Sequence, residues 1–254
     1  MKKIGLLLAC YFCFYCFDVG AIGFKQNFNV RVGVFDAATV VIGFEDEDNQ
    51  YQIKAEVKTA NFFGGVYPFL GVYKANGKLL NDAVLPLVYE TKTETRSNTR
   101  TKKILYKNGR AYRRISSKNG KFNEVEIKNI PSTSDVSDLQ TVFAELISNF
   151  SKNRDCTITR EIYDGKKHYK VIAESRGFEN RWFDYLNKNE NAYRCSVYIE
   201  NLRDNNDNVL WDVSAETPIN LWLGVDNGKK LPKILEISID STPLGGVQIT
   251  PIDL

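Results

Sequence analysis

Beyond residue 24 apolar and polar side chains alternate with a period of two, the pattern of strands that bury one face. Val30, Val32 and Val34 fall on one face, then Val40, Ile42 and Phe44, then Tyr51, Ile53, Ala55 and Val57, which predicts an opening meander. Asp46-Glu47-Asp48-Asn49 reads as a polar turn between the second and third of these strands. Asn76-Gly77 and Asn108-Gly109 read as hairpin turns, because both residue types accept positive φ. The period then changes to that of a helix. Leu139, Val142, Phe143, Leu146, Ile147 and Phe150 form one apolar stripe, and Ser137 with Gln140 makes a capping box, so the spacing predicts a helix over 137–151. Pro131-Ser132-Thr133-Ser134 ahead of it reads as a linker.

Alternation resumes after the helix. Cys156, Ile158 and Ile162 point inward, Asp164-Gly165 makes a turn, and Tyr169, Val171 and Ala173 return. Tyr193, Cys195, Val197 and Ile199 share one face of a later strand, and Leu235, Ile237 and Ile239, a turn at 243–246, then Val247 and Ile249 close the chain. The fold class that follows is mainly β: a large curved antiparallel sheet, a half-barrel or open barrel, with one α-helix packed on its concave side. It forms a single β-rich domain over 22–254, with a first strand group at 28–130, the helix at 137–151 and a second strand group at 155–254.

Residues 61–72 fit neither period. Phe62, Phe63, Val66, Tyr67, Phe69 and Leu70 cluster around Gly64-Gly65 and Pro68, as a short helix or a lid-like loop. Either the aromatics pack on the sheet, or Phe62, Phe63, Tyr67, Phe69 and Leu70 wall an apolar ligand site.

The N-terminus has a different character. Lys2 and Lys3 precede an uninterrupted apolar stretch at 4–17, and Val19-Gly20-Ala21 offers small side chains for a signal peptidase, so residues 1–21 read as a cleaved secretory signal. The stretch is short of the roughly 20 residues that a membrane-spanning helix needs, and Leu7-Leu8-Ala9-Cys10 is a poor lipobox, with little apolar sequence before it and a large Leu8. Removing the signal takes Cys10, Cys13 and Cys16 and leaves Cys156 and Cys195. An even pair in an exported chain suggests a disulfide, and both cysteines lie on apolar faces that could meet across adjacent strands; two buried free thiols are the alternative.

Candidate chemistry is sparse. The chain has one histidine, His168, which falls opposite Tyr169 and Val171 and reads as a solvated strand residue. No metal-ligand cluster, nucleophile elbow or phosphate-cradling glycine loop occurs in the sequence, so the expectation is a protein that is not an enzyme and uses neither cofactor nor metal. Charge is more telling. Between Lys92 and Lys121 stand eleven basic residues against one acid, Glu94, although the whole chain carries only +3. Lys102, Lys103, Lys107, Arg110, Arg113 and Arg114 are the candidates for a face toward an anionic partner: a membrane surface, an acidic envelope polymer or an acidic protein. Export argues against nucleic acid.

Several of these segments together resemble an exported bacterial family known as domain of unknown function 3108. The carrying residues are Cys156 followed by Ile162-Tyr163-Asp164-Gly165-Lys166-Lys167-His168-Tyr169, then Tyr193-Arg194-Cys195-Ser196-Val197, and Ile219-Asn220-Leu221-Trp222-Leu223 followed by Leu231-Pro232-Lys233-Ile234. Pro86 with Tyr89, and Asp135 before the helix, match more loosely, and the run Asp204-Asn205-Asn206-Asp207-Asn208 departs from the family's glycine-containing turn. The resemblance implies export, pairing of Cys156 with Cys195 and a β-rich fold with few helices, and carries over no catalytic residue. The expectation is a periplasmic or envelope protein that binds a lipid or other amphipathic ligand without catalysis. The alternative is a structural or protein-interaction scaffold that docks through a basic sheet face.

Overall fold

The computed structural model describes residues 22–80, 83–127, 136–163, 168–202, 213–225 and 231–252. The segments read above as a leader (1–21), a linker (131–134), a turn (Asp164-Gly165) and a departing run (204–208), and Asp135, lie outside the described residues.

Alternation becomes strand wherever the sequence sustains it. The first group is β1 (Ile22–Val32), β2 (Phe35–Glu47), β3 (Gln50–Thr59), a short helix α1 (Asn61–Val66), β4 (Phe69–Leu79), β5 (Val84–Thr95), β6 (Thr99–Lys107), β7 (Arg110–Lys118) and β8 (Lys121–Glu126). After β9 (Val136–Ser137) and α2 (Leu139–Asn153) come β10 (Ile158–Tyr163), β11 (His168–Phe183), β12 (Lys188–Asn201), β13 (Ile219–Gly224), β14 (Lys233–Ile239) and β15 (Val247–Pro251). All of these strands join one sheet in the order β8-β7-β6-β5-β4-β3-β2-β1-β15-β14-β13-β12-β11-β10-β9. The chain therefore lays down one wing strand by strand and returns along the other, and β1 pairs with β15 to join them. Pairings are antiparallel except the short parallel contact of β9 with β10. β9 also lies against β7, so the sheet curls until its two edge regions touch.

Local chemistry sets the turns. Asp48 and Asn49 join β2 to β3 with φ of 50° and 61°, and Asn108-Gly109 joins β6 to β7 with 51° and 74°. Asn119-Gly120 makes a third turn of the same kind, between β7 and β8. Asn76-Gly77 is not a turn: both residues lie inside β4, where the register against β5 shifts. Gly77 is needed there for space, because a Cβ would stand 2.1 Å from the Leu85 carbonyl oxygen and 2.6 Å from the Tyr51 ring. Val34 leaves its face too, since the chain turns at Gly33 (φ 58°) and exposes it.

The core lies between the concave face and α2. Phe28, Phe44, Ile53, Ile104, Ile162 and Leu223 from the sheet meet Val142, Leu146, Ile147 and Phe150 from the helix. Burying those four helical side chains contributes roughly 6 to 12 kcal/mol before ordering entropy is subtracted. The helix begins later than the capping box suggests. Asp138 is the N-cap and accepts the Thr141 N–H, while Ser137 belongs to β9. Leu139 is consequently the first helical residue, half-exposed at the helix entrance rather than in the core stripe. The helix closes on Arg154, whose φ of 57° turns the chain toward Cys156. Cys156 and Cys195 form a disulfide with Cα atoms 6.1 Å apart, tying the end of α2 to β12.

A bulge in β14 places Ile234 on the core side and sends Leu235 outward, where it joins Trp222 and Phe183 in a second cluster. Leu235 therefore does not share a face with Ile237 and Ile239 as the alternation suggests. Beyond the end of β15, the Gln26 side chain spans the gap to β14: its Nε2 donates to the Ile234 carbonyl and its Oε1 accepts the Ile234 N–H. His168 is buried rather than solvated, and its Nε2 lies 3.0 Å from Glu161 Oε2 on the neighbouring strand.

Candidate functional site

α2 occupies one half of the trough formed by the curved sheet and leaves the other half open. The result is a cavity of about 970 Å³ between the sheet and the helix N-terminus. Three groups of residues build it. Ala55, Val57, Tyr73 and Tyr89, from β3, β4 and β5, give an apolar and aromatic wall. Arg100, Lys102, Arg114, Lys118 and Lys121, from β6, β7 and β8, give a cationic wall. Asp138, Leu139, Gln140 and Tyr169 close the floor.

Strand register explains how the cations come to face inward. Ile104 is in the core, and Lys102 and Arg100 follow it at period two on the same face of β6. Across the ladder Arg114 pairs with Ile104 and Lys118 with Arg100, and Lys121 pairs with Lys118 on β8. A strand that is apolar near the helix thus becomes basic toward the open end. Lys102 Nζ stands 5.8 Å from the centre of the Tyr89 ring, a cation–π distance.

The floor holds a buried polar chain. The Thr141 N–H donates to Asp138 Oδ1 at 2.9 Å and the Thr141 hydroxyl to Oδ2 at 2.7 Å. Thr141 Oγ1 also lies 2.6 Å from the Tyr51 hydroxyl. An ionised carboxylate only accepts, so Thr141 spends its proton on Asp138 and Tyr51 donates to Thr141. The Tyr106 hydroxyl faces the same carboxylate. Burial pushes the Asp138 carboxyl up to about 6, against the opposing pull of these hydrogen bonds. Burial also raises Tyr51, Tyr73 and Tyr106, so their phenols remain neutral donors in the physiological range.

The aromatic stretch does not wall this cavity. α1 leaves Phe62 exposed, and Phe63 packs edge-on against Phe35. Tyr67 and Phe69 line a separate recess of about 450 Å³ with Arg96 and Arg100; that recess shares Thr93 and Arg100 with the main cavity. The Phe69 and Tyr73 rings both overhang Gly71, where a Cβ would come within 2.9 and 2.8 Å of them. Leu70 falls on the opposite face of β4 from Phe69.

The six basic candidates do not form one face either. Lys102 and Arg114 line the cavity. Lys103 and Arg113 point outward and pair with Glu90 and Glu124. Lys107 and Arg110 flank the Asn108-Gly109 turn at the far end of the barrel. Arg100, Lys118 and Lys121, the other cations of the cavity, could have been found by extending the inward face of Ile104 along the ladder; that requires the register, which one strand alone does not supply.

Among the described residues no three His, Cys, Asp or Glu side chains converge in a way that could hold a metal ion, and no helix is long and apolar enough to cross a membrane. A family model described as "Protein of unknown function (DUF3108)" matches residues 27–244. Among solved structures, the chain is similar to a β-barrel-like protein of domain of unknown function DUF1849 from Brucella abortus, with a TM-score of 0.51 and 7% identity. That alignment covers 91% of this chain and 96% of the other, which is a likeness of fold. No curated protein matches.

Proposed function

The chain belongs to the DUF3108 family, and from that premise we propose that it is a non-catalytic binding protein which receives an anionic amphipathic ligand, such as a lipid, in the open half of its barrel. One observation carries the reading: a cavity with an apolar, aromatic wall opposite five cations. An amphiphile satisfies both walls at once, its apolar part on Ala55, Val57, Tyr73 and Tyr89 and its charged group against Arg100, Lys102 and Arg114. The cavity volume falls within the range of small-molecule sites. The Tyr73 phenol, which burial keeps neutral, and the threonines 91 and 93 add hydrogen-bond partners without adding negative charge.

The proposal includes export to a periplasm or cell envelope. The segment before Ile22 has the charge and apolar pattern of a leader, and a Cys156–Cys195 disulfide is a bond that lasts in an oxidising compartment.

The test is native mass spectrometry with organic extraction on protein purified from its own envelope, followed by titration with a soluble fluorescent fatty acid. The expected result is a co-purifying anionic lipid, and fatty-acid binding that weakens at least tenfold in Arg114→Glu. A clean apo mass together with no fatty-acid binding would overturn the proposal and leave the scaffold reading.

A further inference from the structure

The end of the barrel onto which the cavity opens carries a second feature, separate from the cavity's lining. Val34 (79% exposed), Phe62 (71%), Val66 (61%), Tyr67 (63%) and Leu244 (73%) all project from the turns and the short helix α1 at this end. A single exposed apolar side chain needs no explanation, but several large ones in one place do. These come from three distant parts of the sequence that the fold joins. The β1–β2 turn is bound to the β14–β15 turn by the Gly33 N–H donating to the Gly246 carbonyl at 2.8 Å. α1 is held to the start of β2 by the Ala60 N–H on the Ala37 carbonyl and by the Phe35–Phe63 ring contact. The corresponding two-residue turns at the other end, Asp48-Asn49 and Asn108-Gly109, are polar.

Charge beside the patch is predominantly positive on the first wing: Arg31, Lys58, Arg96, Arg100, Lys118 and Lys121 lie on or beside its turns at this end, against Asp36 and Glu94, whereas the second wing brings Asp240, Glu216 and Glu200, the last paired with Lys170. Of those acids, Asp36 accepts from Asn29 and Glu94 is paired with Lys92. Arg96 is fixed beside α1 by donating to the Gly65 carbonyl at 2.8 Å.

We propose that this end of the barrel docks on a lipid bilayer bearing anionic headgroups, with Val34, Phe62, Val66, Tyr67 and Leu244 entering the interface and the cations of the first wing meeting the headgroups. Protruding apolar tips flanked by the cations of the first wing fit a soft anionic surface; a second copy of this chain docked wing against like wing would bring those cations together. Tyr67 has the amphipathic ring that settles at headgroup level. The recess at Tyr67 and Phe69 shares Arg100 with the main cavity, so the docked end is also the end through which an amphiphile would enter. The docking itself is independent of what the cavity holds.

The test is flotation of the purified protein with phosphatidylglycerol vesicles and with phosphatidylcholine vesicles, each at low and high salt. The expected result is binding to the anionic vesicles that weakens with salt, and a loss of at least tenfold in the triple variant Val34→Ser, Phe62→Ser, Leu244→Ser. These positions are exposed, so circular dichroism and Tm should be unchanged; were the triple variant to misfold, Phe62→Trp gives a second readout, a blue shift of its emission on adding anionic vesicles. Fatty-acid binding should persist in the triple variant and be lost in Arg114→Glu, which separates failure of the docking surface from failure of the cavity. Equal flotation of the triple variant and the unaltered protein, no shift from Phe62→Trp, or a dimer in sedimentation that the triple variant dissociates while neither vesicle binds, would each overturn the proposal.

Discussion

Asp138 is an N-cap whose charge is costly, and replacing it by its neutral isostere should raise stability at neutral pH. Its carboxyl is fully buried and titrates at about 6, against 3.8 for a free aspartate. A difference of that size corresponds to roughly 3 kcal/mol between the protonated and ionised forms of the folded protein. The sign follows from proton counting. Between pH 3.8 and 6 the folded protein holds a proton at Asp138 that the unfolded chain has lost, so this group's contribution falls as pH rises and stays at its minimum above 6. Asp138→Asn removes the titration and keeps an amide oxygen to accept the Thr141 N–H. The amide NH₂ can donate to Thr141 Oγ1, whose hydroxyl then turns to Tyr51, so the chain of hydrogen bonds survives with its direction reversed. Asp138→Asn should therefore match the unaltered protein near pH 4 and exceed it by up to about 3 kcal/mol at pH 7.5. Asp138→Ala, which strands the Thr141 donors, should lose about 1 to 2 kcal/mol relative to Asp138→Asn at every pH. The assay is urea unfolding followed by tryptophan fluorescence at half-unit pH steps. A difference between Asp138→Asn and the unaltered protein that stays flat from pH 4 to 7.5 would refute the reasoning, because only the titration of Asp138 generates the slope.

Two further outcomes follow from the packing. Replacing both Cys156 and Cys195 by serine reopens a loop with a sequence separation of 39 and should cost about 4 kcal/mol in the chain-entropy account, read as a lower urea midpoint; an unchanged midpoint would mean the helix end is held to β12 by packing alone. Gly77→Ala drives a methyl into the Leu85 carbonyl and the Tyr51 ring and should destabilise by roughly 3 kcal/mol or more, whereas Gly65→Ala, with open space around it in α1, should be neutral or slightly stabilising. Similar melting temperatures for the two variants would contradict the close approach at Gly77.

Much of the fold can be read along the chain because its causes are local. A period of two from Val40 to Phe44 and from Tyr51 to Ile53 means a strand with one face in, and the structure buries those side chains. Asp48-Asn49 and Asn108-Gly109 tolerate positive φ, and the chain turns there. The stripe from Val142 to Phe150 means a helix against the concave side. The local signals mislead where a second strand intervenes. Asn76-Gly77 has turn chemistry, yet β5 and the Tyr51 ring need a residue without Cβ inside β4. Leu235 follows the alternation on paper, but the bulge opposite Trp222 flips it to the outer face. His168 looks solvated from its own strand, yet it is buried and held at hydrogen-bond distance from Glu161 of the next.

The sites depend on distances that a linear pattern does not contain. A run of eleven basic residues reads as one charged face, but successive residues of a strand point to opposite sides, so Lys102 and Arg114 enter the cavity while Lys103 and Arg113 pair with outer acids. The aromatic stretch reads as a ligand wall, yet the wall facing the cations is made by Ala55, Val57, Tyr73 and Tyr89. Val34 and Leu244 stand more than two hundred residues apart, and their turns are joined only because β1 pairs with β15. The sequence by itself determined the strands, the helix and the family, since periodicity and turn chemistry act over a few residues. Tertiary structure decided the cavity, its cationic wall and the apolar end, since which side chains face one another depends on register, bulges and the closing of the sheet.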